Sequence, residues 1–444
     1  MAERARSRSC ANDSRTMEAS SSIRSLVERD RACVWHPFTQ AFDAEPAVPI
    51  VKGEGAYLYS ETGEAYLDAI SSWWVNLHGH SHPYIAEKIG AQAKELEHVI
   101  FAGYTHPQAV VLAERLLALF SDAYSHVFYS DNGSTAVEVA LKMALQVQGN
   151  GKQILCFQGA YHGDTFGAMA AAGRSHYNQP FWPYLFHVHS IQPPICGREE
   201  ESLREFERAV GSGEIAAFIF EPLVQGAGGM RLHSKQLLSW MVKRCQENGI
   251  LTIADEVMTG FGRTGALFAS STLDVYPDLI CLSKGISGGF LPLGATIAKK
   301  MIFDSFLSPD PAKAFLHGHS YTGNPLACAA ANASLDLLLQ EGCDAARKMI
   351  ETEHAGFQSS WKGHPKLVRC EAIGTILALE YRTEKSSYYS VLKKELAAFF
   401  KSRGVLLRPL GNVLYLMPPY CIRREELQKM YSLIAETLEE WKWD

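Results

Sequence analysis

Short apolar runs, several of them separated by helical patterns, recur through the middle of this chain and constrain its fold more than any other feature. They occupy residues 126–130, 153–157, 215–220, 250–254 and 278–282, and each reaches polar or glycine-containing residues at its C-terminal end. The intervening helical patterns include residues 136–146 and 234–248. Strand–helix alternation of this kind predicts an α/β fold with a mostly parallel sheet covered on both faces. In such sheets ligands collect beyond the carboxyl ends of the strands, so the strand ends are where chemistry is to be sought.

The two ends of the chain read differently. Residues 55–69 resemble a hairpin turning at Glu61-Thr62-Gly63. Beyond residue 335 come helix, strand (375–381), helix, strands (404–407 and 413–417) and helix. We read residues 76–335 as a large domain, and 23–75 with 336–444 as a smaller α+β domain built from both termini. The first 22 residues are rich in Ser and Arg and read as a disordered extension. No linker or internal repeat divides the 444 residues further.

Composition narrows the function. A net charge of -6 argues against a general nucleic-acid binder, which needs a basic face. The apolar runs are of strand length, which argues against a membrane span. Ten cysteines are scattered without a C-x-x-C pair and sit mostly in apolar stretches, which predicts a reducing, cytoplasmic setting.

Three strand ends then carry a combination. After residue 130 comes Asp131-Asn132-Gly133-Ser134-Thr135 at the opening of a helix, where free N–H groups and the helix dipole favour an anion. Simple capping by Ser or Thr explains that motif alone equally well. After residue 254 comes Asp255-Glu256-Val257, and after residue 282 comes Ser283-Lys284-Gly285. An anion cup, a carboxylate and an amine at three ends of one sheet match the needs of pyridoxal 5'-phosphate. That cofactor requires a phosphate site, a nucleophilic lysine, and an acid that keeps its ring nitrogen protonated.

The run from Asp255 to Gly265, with Lys284 twenty-nine positions past the aspartate, resembles the class III, fold-type I aminotransferases over residues 35–420. Narrower motifs are similar to the branch that aminates 8-amino-7-oxononanoate with S-adenosylmethionine in biotin synthesis. These are Trp35-His36-Pro37-Phe38-Thr39, Ser71-Ser72-Trp73-Trp74, Tyr161-His162-Gly163-Asp164-Thr165, Glu221-Pro222, residues 225–229 and residues 415–420. The resemblance implies that Lys284 is the catalytic lysine that carries the cofactor as a Schiff base, and that Asp255 pairs with the pyridine nitrogen. It implies that Gly133 and Ser134 hold the phosphate, with His319-Ser320 reaching it from a second copy in a homodimer. Tyr161 and Val257 then flank the ring, while Phe38, Trp73, Gly318 and Arg408 join Tyr161 and Lys284 at the substrate. Phe38 stands where this branch usually has tyrosine, and His319-Ser320 where it tends to have proline and threonine. Another class III activity, on an ω-amino acid or with lysine or a diamine as donor, is the alternative.

Two further patterns read as decoys. Residues 260–265 spell G-x-G-x-x-G, but no helix opens at those glycines, which counts against dinucleotide binding. Histidines two apart at 78–82, 187–189 and 317–319 can bind zinc, but they read better as His-Pro and Gly-His turns and no H-E-x-x-H is present, so no metal is expected.

Overall fold

A computed structural model describes residues 24–149, 151–175, 178–383 and 391–441. The disordered extension expected at residues 1–22 lies outside the described residues. At the centre is a seven-stranded sheet of β1 (Tyr124–Ser130), β2 (Gln153–Phe157), β3 (Val188–Ile191), β4 (Ile215–Phe220), β5 (Leu251–Asp255), β6 (Leu279–Leu282) and β7 (Gly294–Lys299). Their order is β1-β7-β6-β5-β4-β2-β3. Only β7 runs against its neighbours. The strands β6, β5, β4, β2 and β3 pair in parallel. The carboxyl ends of β1, β6, β5 and β4 therefore converge with the start of β7 at one edge.

Both faces of the sheet are covered at its centre, which is why its central strands are buried throughout rather than alternating. Every residue of β4 is buried. Ile219 and Ile253 pack with Val137, Ala140 and Leu141 of the helix Gly133–Gln148. On the opposite face Phe218, Phe220 and Ala254 pack with Leu238, Met241 and Val242 of the helix Lys235–Glu247.

Sequence reading missed β3 and β7. The missing signal for β7 is a small-residue run, Gly-Ala-Thr-Ile-Ala-Lys, that carries little strand propensity of its own. Packing explains its composition. A Cβ on Gly294 would collide with the Asn132 carbonyl and the Ser130 hydroxyl, so only glycine lets β7 enter between β1 and β6.

The chain ends do share a sheet. Ile50–Glu54, Tyr57–Ser60 and Ala65–Asp68 form an antiparallel meander, and Val405–Leu406 adds to it in parallel, with Leu406 opposite Asp68. The C-terminal strands read together in the sequence part company here. Val413–Leu416 instead joins Leu367–Ile373 and Ile376–Tyr381 in a separate antiparallel sheet. Among the described residues no helix is long and apolar enough to cross a membrane.

Candidate active site

The pocket lies at the convergent strand ends, has a volume of about 410 Å³, and is lined by Gly133, Ser134, Tyr161, Asp255, Val257 and Lys284 together with Trp74, His162 and Glu221. Six residues singled out from the sequence thus meet in one cavity, although they span 151 positions (284 − 133).

The helix Gly133–Gln148 opens on Asn132, whose side chain accepts from the Thr135 N–H at 3.1 Å. Thr135 Oγ1 in turn accepts from the N–H groups of Asp131 and Asn132. Capping is therefore done by Asn132 and Thr135, which leaves the first-turn N–H groups of Gly133 and Ser134 without intrahelical partners. The cup is tight. A Cβ on Gly133 would come 2.7 Å from Val257 Cγ1, and one on Gly163 would strike Ser134 Oγ. Crowding that only glycine tolerates, around free N–H donors at a helix start, fits a phosphate.

Asp255 and Glu256 are adjacent acids with different fates, because successive strand residues face opposite sides. Glu256 turns into the core, where its carboxylate accepts from Thr259, Ala269 and Ser270. Asp255 faces the pocket, accepts from the Val257 N–H at 3.0 Å, and lies 2.7 Å from His162 Nδ1. His162 is buried, and among the described residues its Nε2 has no partner. A buried carboxylate braced by two donors is suited to holding a protonated ring nitrogen. Nothing in the sequence paired Asp255 with His162, 93 positions away; only the tyrosine-histidine-glycine motif marked the residue.

Lys284 begins a 3-10 turn just beyond β6 with a left-handed φ of 44°. Its ammonium lies 4.6 Å from the centre of the Trp74 ring. Burial pushes its pKa down to about 8, against the opposing fields of Asp255 and Glu221. At pH 7 roughly one amine in ten is then neutral, rather than fewer than one in a thousand. Glu221, also sealed from water, accepts from the N–H groups of Tyr161 and Gly226, and burial raises its pKa to about 7.

The lysine's environment has a consequence for stability. Its folded pKa of about 8 lies below the ordinary 10.5, so below pH 8 the folded chain must protonate a desolvated amine. The penalty is fully present at neutral pH and disappears as pH rises toward 10.5. In cofactor-free protein, Lys284→Met should raise stability at pH 7 by on the order of 2–3 kcal/mol. By pH 10 the gain should shrink below about 1 kcal/mol. Thermal melts of both proteins across that range check it, and a gain independent of pH would refute it.

The remaining predicted residues lie elsewhere. Phe38, Trp73 and Arg408 cluster in the outer region, where Trp73 and Arg408 line a second cavity of about 580 Å³. The Arg408 guanidinium stacks 4.8 Å from the Trp73 ring and donates to the Phe38 carbonyl at 3.1 Å. The Phe38 ring meets Trp73 edge-on at 5.6 Å. Gly318, His319 and Ser320 do not reach the cavity of their own chain; Ser320 is exposed between the large apolar side chains of Leu316 and Tyr321, which are also exposed. Trp74, marked in the sequence only as part of the paired-tryptophan motif, forms part of the pocket wall beside Lys284. The G-x-G-x-x-G run serves the core: Arg263 is buried and donates to the carbonyls of Trp74, Asn76 and Pro418. Among the described residues no cluster of three metal-ligating side chains occurs.

Both tryptophans owe their directions to an unusual backbone. Ser71, Ser72, Trp73 and Trp74 have φ values of 50°, 43°, 72° and 75°, a full left-handed turn made without glycine. Each such residue costs roughly 1–2 kcal/mol, so the turn persists only because long-range contacts hold it. Ser71 Oγ donates to the Met417 carbonyl at 2.8 Å, and Trp74 Nε1 to the Tyr415 hydroxyl at 3.0 Å.

Known proteins share this sequence pattern and fold. The family model "Aminotransferase class-III" matches residues 39–438. The adenosylmethionine-8-amino-7-oxononanoate aminotransferase of Synechococcus elongatus is 49% identical over 92% of this chain and 98% of its own length. That of Helicobacter pylori is 40% identical over 94% and 98%. The crystal structure of the enzyme of the same name from Methanocaldococcus jannaschii superposes with a TM-score of 0.89 at 32% identity, covering 94% of this chain and 99% of that one. An amine transaminase from an uncultivated Pseudomonas species, solved with PLP bound, gives a TM-score of 0.83 at 31% identity, over 90% and 97%. The large mostly parallel sheet is thus part of a fold shared with these enzymes, and the chain belongs to the class-III aminotransferases.

Proposed function

We propose that this enzyme transfers an amino group from S-adenosylmethionine to 8-amino-7-oxononanoate, giving 7,8-diaminononanoate for biotin synthesis, with pyridoxal phosphate as cofactor. One observation carries the reading: a desolvated lysine, a braced aspartate and a glycine-walled anion cup line a single cavity. The substrate identity is supported by the names of the relatives, which are 49% and 40% identical over nearly their whole lengths.

When bound, the cofactor supplies a ring that withdraws electrons from the carbon bearing the amino group. The residues of this chain do the rest. Gly133 and Ser134 hold the phosphate with backbone N–H groups, while Tyr161 and Val257 bound the ring's two faces. Asp255, fixed by His162 and the Val257 N–H, keeps a proton on the ring nitrogen. Lys284 anchors the cofactor and, as a free amine, takes the α-proton of the donor and later returns one to the acceptor. Its lowered pKa suits both directions of that transfer. The donor leaves as its oxo product before the acceptor binds, so the kinetics are ping-pong. Arg408 receives the acceptor's carboxylate, for which a guanidinium is well shaped. Trp73 and Phe38 cover its chain, and Gly318 completes that side.

We assign the working unit as a homodimer in which His319 and Ser320 of a second copy complete the phosphate site. Support comes from the exposure of Ser320 on a surface that also bares Leu316 and Tyr321. We divide the chain into a large domain at 76–335 and a smaller one from 23–75 and 336–444, on the strength of the sheet shared by both ends. A cytoplasmic location agrees with the nine described cysteines, all free.

A donor screen against 8-amino-7-oxononanoate tests the assignment. Product from S-adenosylmethionine supports it. Product from lysine alone would change the donor, and none from any donor would point to a different class III substrate. Phe38 makes the screen informative, because a tyrosine there would add a hydroxyl whose hydrogen bond is worth about 1 kcal/mol.

A further inference from the structure

Asp68 takes no part in the reaction above, yet it is fully buried and sits under the left-handed turn. Its Oδ1 accepts from the Ile70 N–H at 3.1 Å, just before the turn. Its Oδ2 accepts from the Ser72 hydroxyl at 2.9 Å, inside it, and lies 2.9 Å from His80 Nε2. The neighbouring bonds fix the tautomer of that histidine. Asn76 Oδ1 accepts from the Gly79 N–H, so the Asn76 amide nitrogen faces His80 Nδ1, at 3.1 Å. Nδ1 is therefore the acceptor, and Nε2 carries the proton given to Asp68.

The same residue borders the outer region. Asp68 ends a strand and pairs with Leu406, two residues before Arg408, and the Ala69 N–H donates to the Leu406 carbonyl at 3.0 Å. On the other side, the Asp68 charge favours the buried Arg263 guanidinium, which grips the carbonyls of Trp74 and Asn76. Trp74 presents its ring to Lys284, and Trp73 presents its ring to Arg408. Both rings hang from one strained tetrapeptide.

We propose that Asp68 is a positioning residue: its carboxylate holds the turn Ser71–Trp74, and through that turn it sets the ring beside Lys284 and the ring beside Arg408 together. A residue that only stabilised the fold would change the melting temperature and leave the pocket alone. A positioning residue moves two readouts at once.

The test uses holoenzyme carrying Asp68→Ala or Asp68→Asn. Asp68→Ala should raise KM for the amino acceptor about 10-fold or more, since small misplacements at a site have large kinetic effects. It should also displace the midpoint of the pH titration of the bound cofactor's visible absorbance, which reports on the surroundings of Lys284. Asp68→Asn keeps an oxygen for the Ile70 N–H but turns an amide NH2 toward the His80 Nε2 proton and the Ser72 hydroxyl, so it should recover only part of both changes. A folded Asp68→Ala enzyme with KM and titration midpoint like those of the parent would overturn the proposal, whatever its melting temperature. If Asp68→Ala does not fold, Ser72→Ala cuts one tether alone. It should raise KM roughly 3-fold and move the midpoint the same way, and no change in either would again overturn the idea. The KM arm rests on the substrate reading above, whereas the titration needs no acceptor. A parent inactive on 8-amino-7-oxononanoate would refute that reading and leave the titration to decide this one.

Discussion

Lys284→Ala abolishes transamination, with kcat falling on the order of 10⁴-fold, while the protein still folds and still takes up the cofactor's phosphate group. The proposed mechanism makes the loss large, since one amine serves there as both anchor and proton carrier, and among the described residues no second lysine lines the pocket. The fold survives because Lys284 occupies the end of a buried strand whose packing comes from Leu279, Ile280, Cys281 and Leu282. Removing an amine held at a pKa of about 8 by burial relieves the folded state rather than breaking it. Steady-state rates measure the first part. Borohydride treatment followed by mass spectrometry locates the anchor: the parent should retain a cofactor adduct at Lys284, and the variant none. Turnover at the parental rate would refute the assignment.

Asp255→Asn is expected to lower kcat by about 10²–10³-fold, the usual effect of removing one preorganised electrostatic partner from a closed site. Asparagine matches aspartate in size and can still accept from the Val257 N–H, so the change removes charge and little else. Without that charge a ring nitrogen loses its proton more readily, and the electron-withdrawing power of the ring falls with it. His162, buried at 2.7 Å from the carboxylate, also loses its carboxylate partner. The adjacent acid is the control. Glu256→Gln should lower the melting temperature through its lost bonds to Thr259 and Ser270, with little change in the kcat of the folded enzyme. Equal kinetic effects at the two positions would show that the pocket does not distinguish them.

Much of this site was legible in the sequence because its parts are local. A strand ending in an acid, a strand ending in a lysine, and a glycine-serine helix opening each declare themselves within a few residues. Apolar periodicity supplied the sheet that lines them up, since strands buried on both faces must be apolar along their length. Family motifs then assigned Tyr161 and Val257 to the same cavity, and the structure places both there. What escaped were features whose signal is spread over the chain. β7 is a run of small residues whose purpose appears only where it passes Ser130 and Asn132. His162 reads as one histidine among sixteen until the crossovers bring it to Asp255.

By itself, then, the sequence determined the α/β layering, the edge of the sheet where the pocket opens, and the amine and acid that line it. Those depend on residue type and short-range spacing. Tertiary structure decided which tryptophan faces the lysine, which of two neighbouring acids enters the pocket, and which histidine braces it. The physical reason is clearest at Ser71–Trp74. Local preference disfavours four left-handed residues in succession, and the bonds that overrule it come from Met417 and Tyr415, more than 340 positions along the chain.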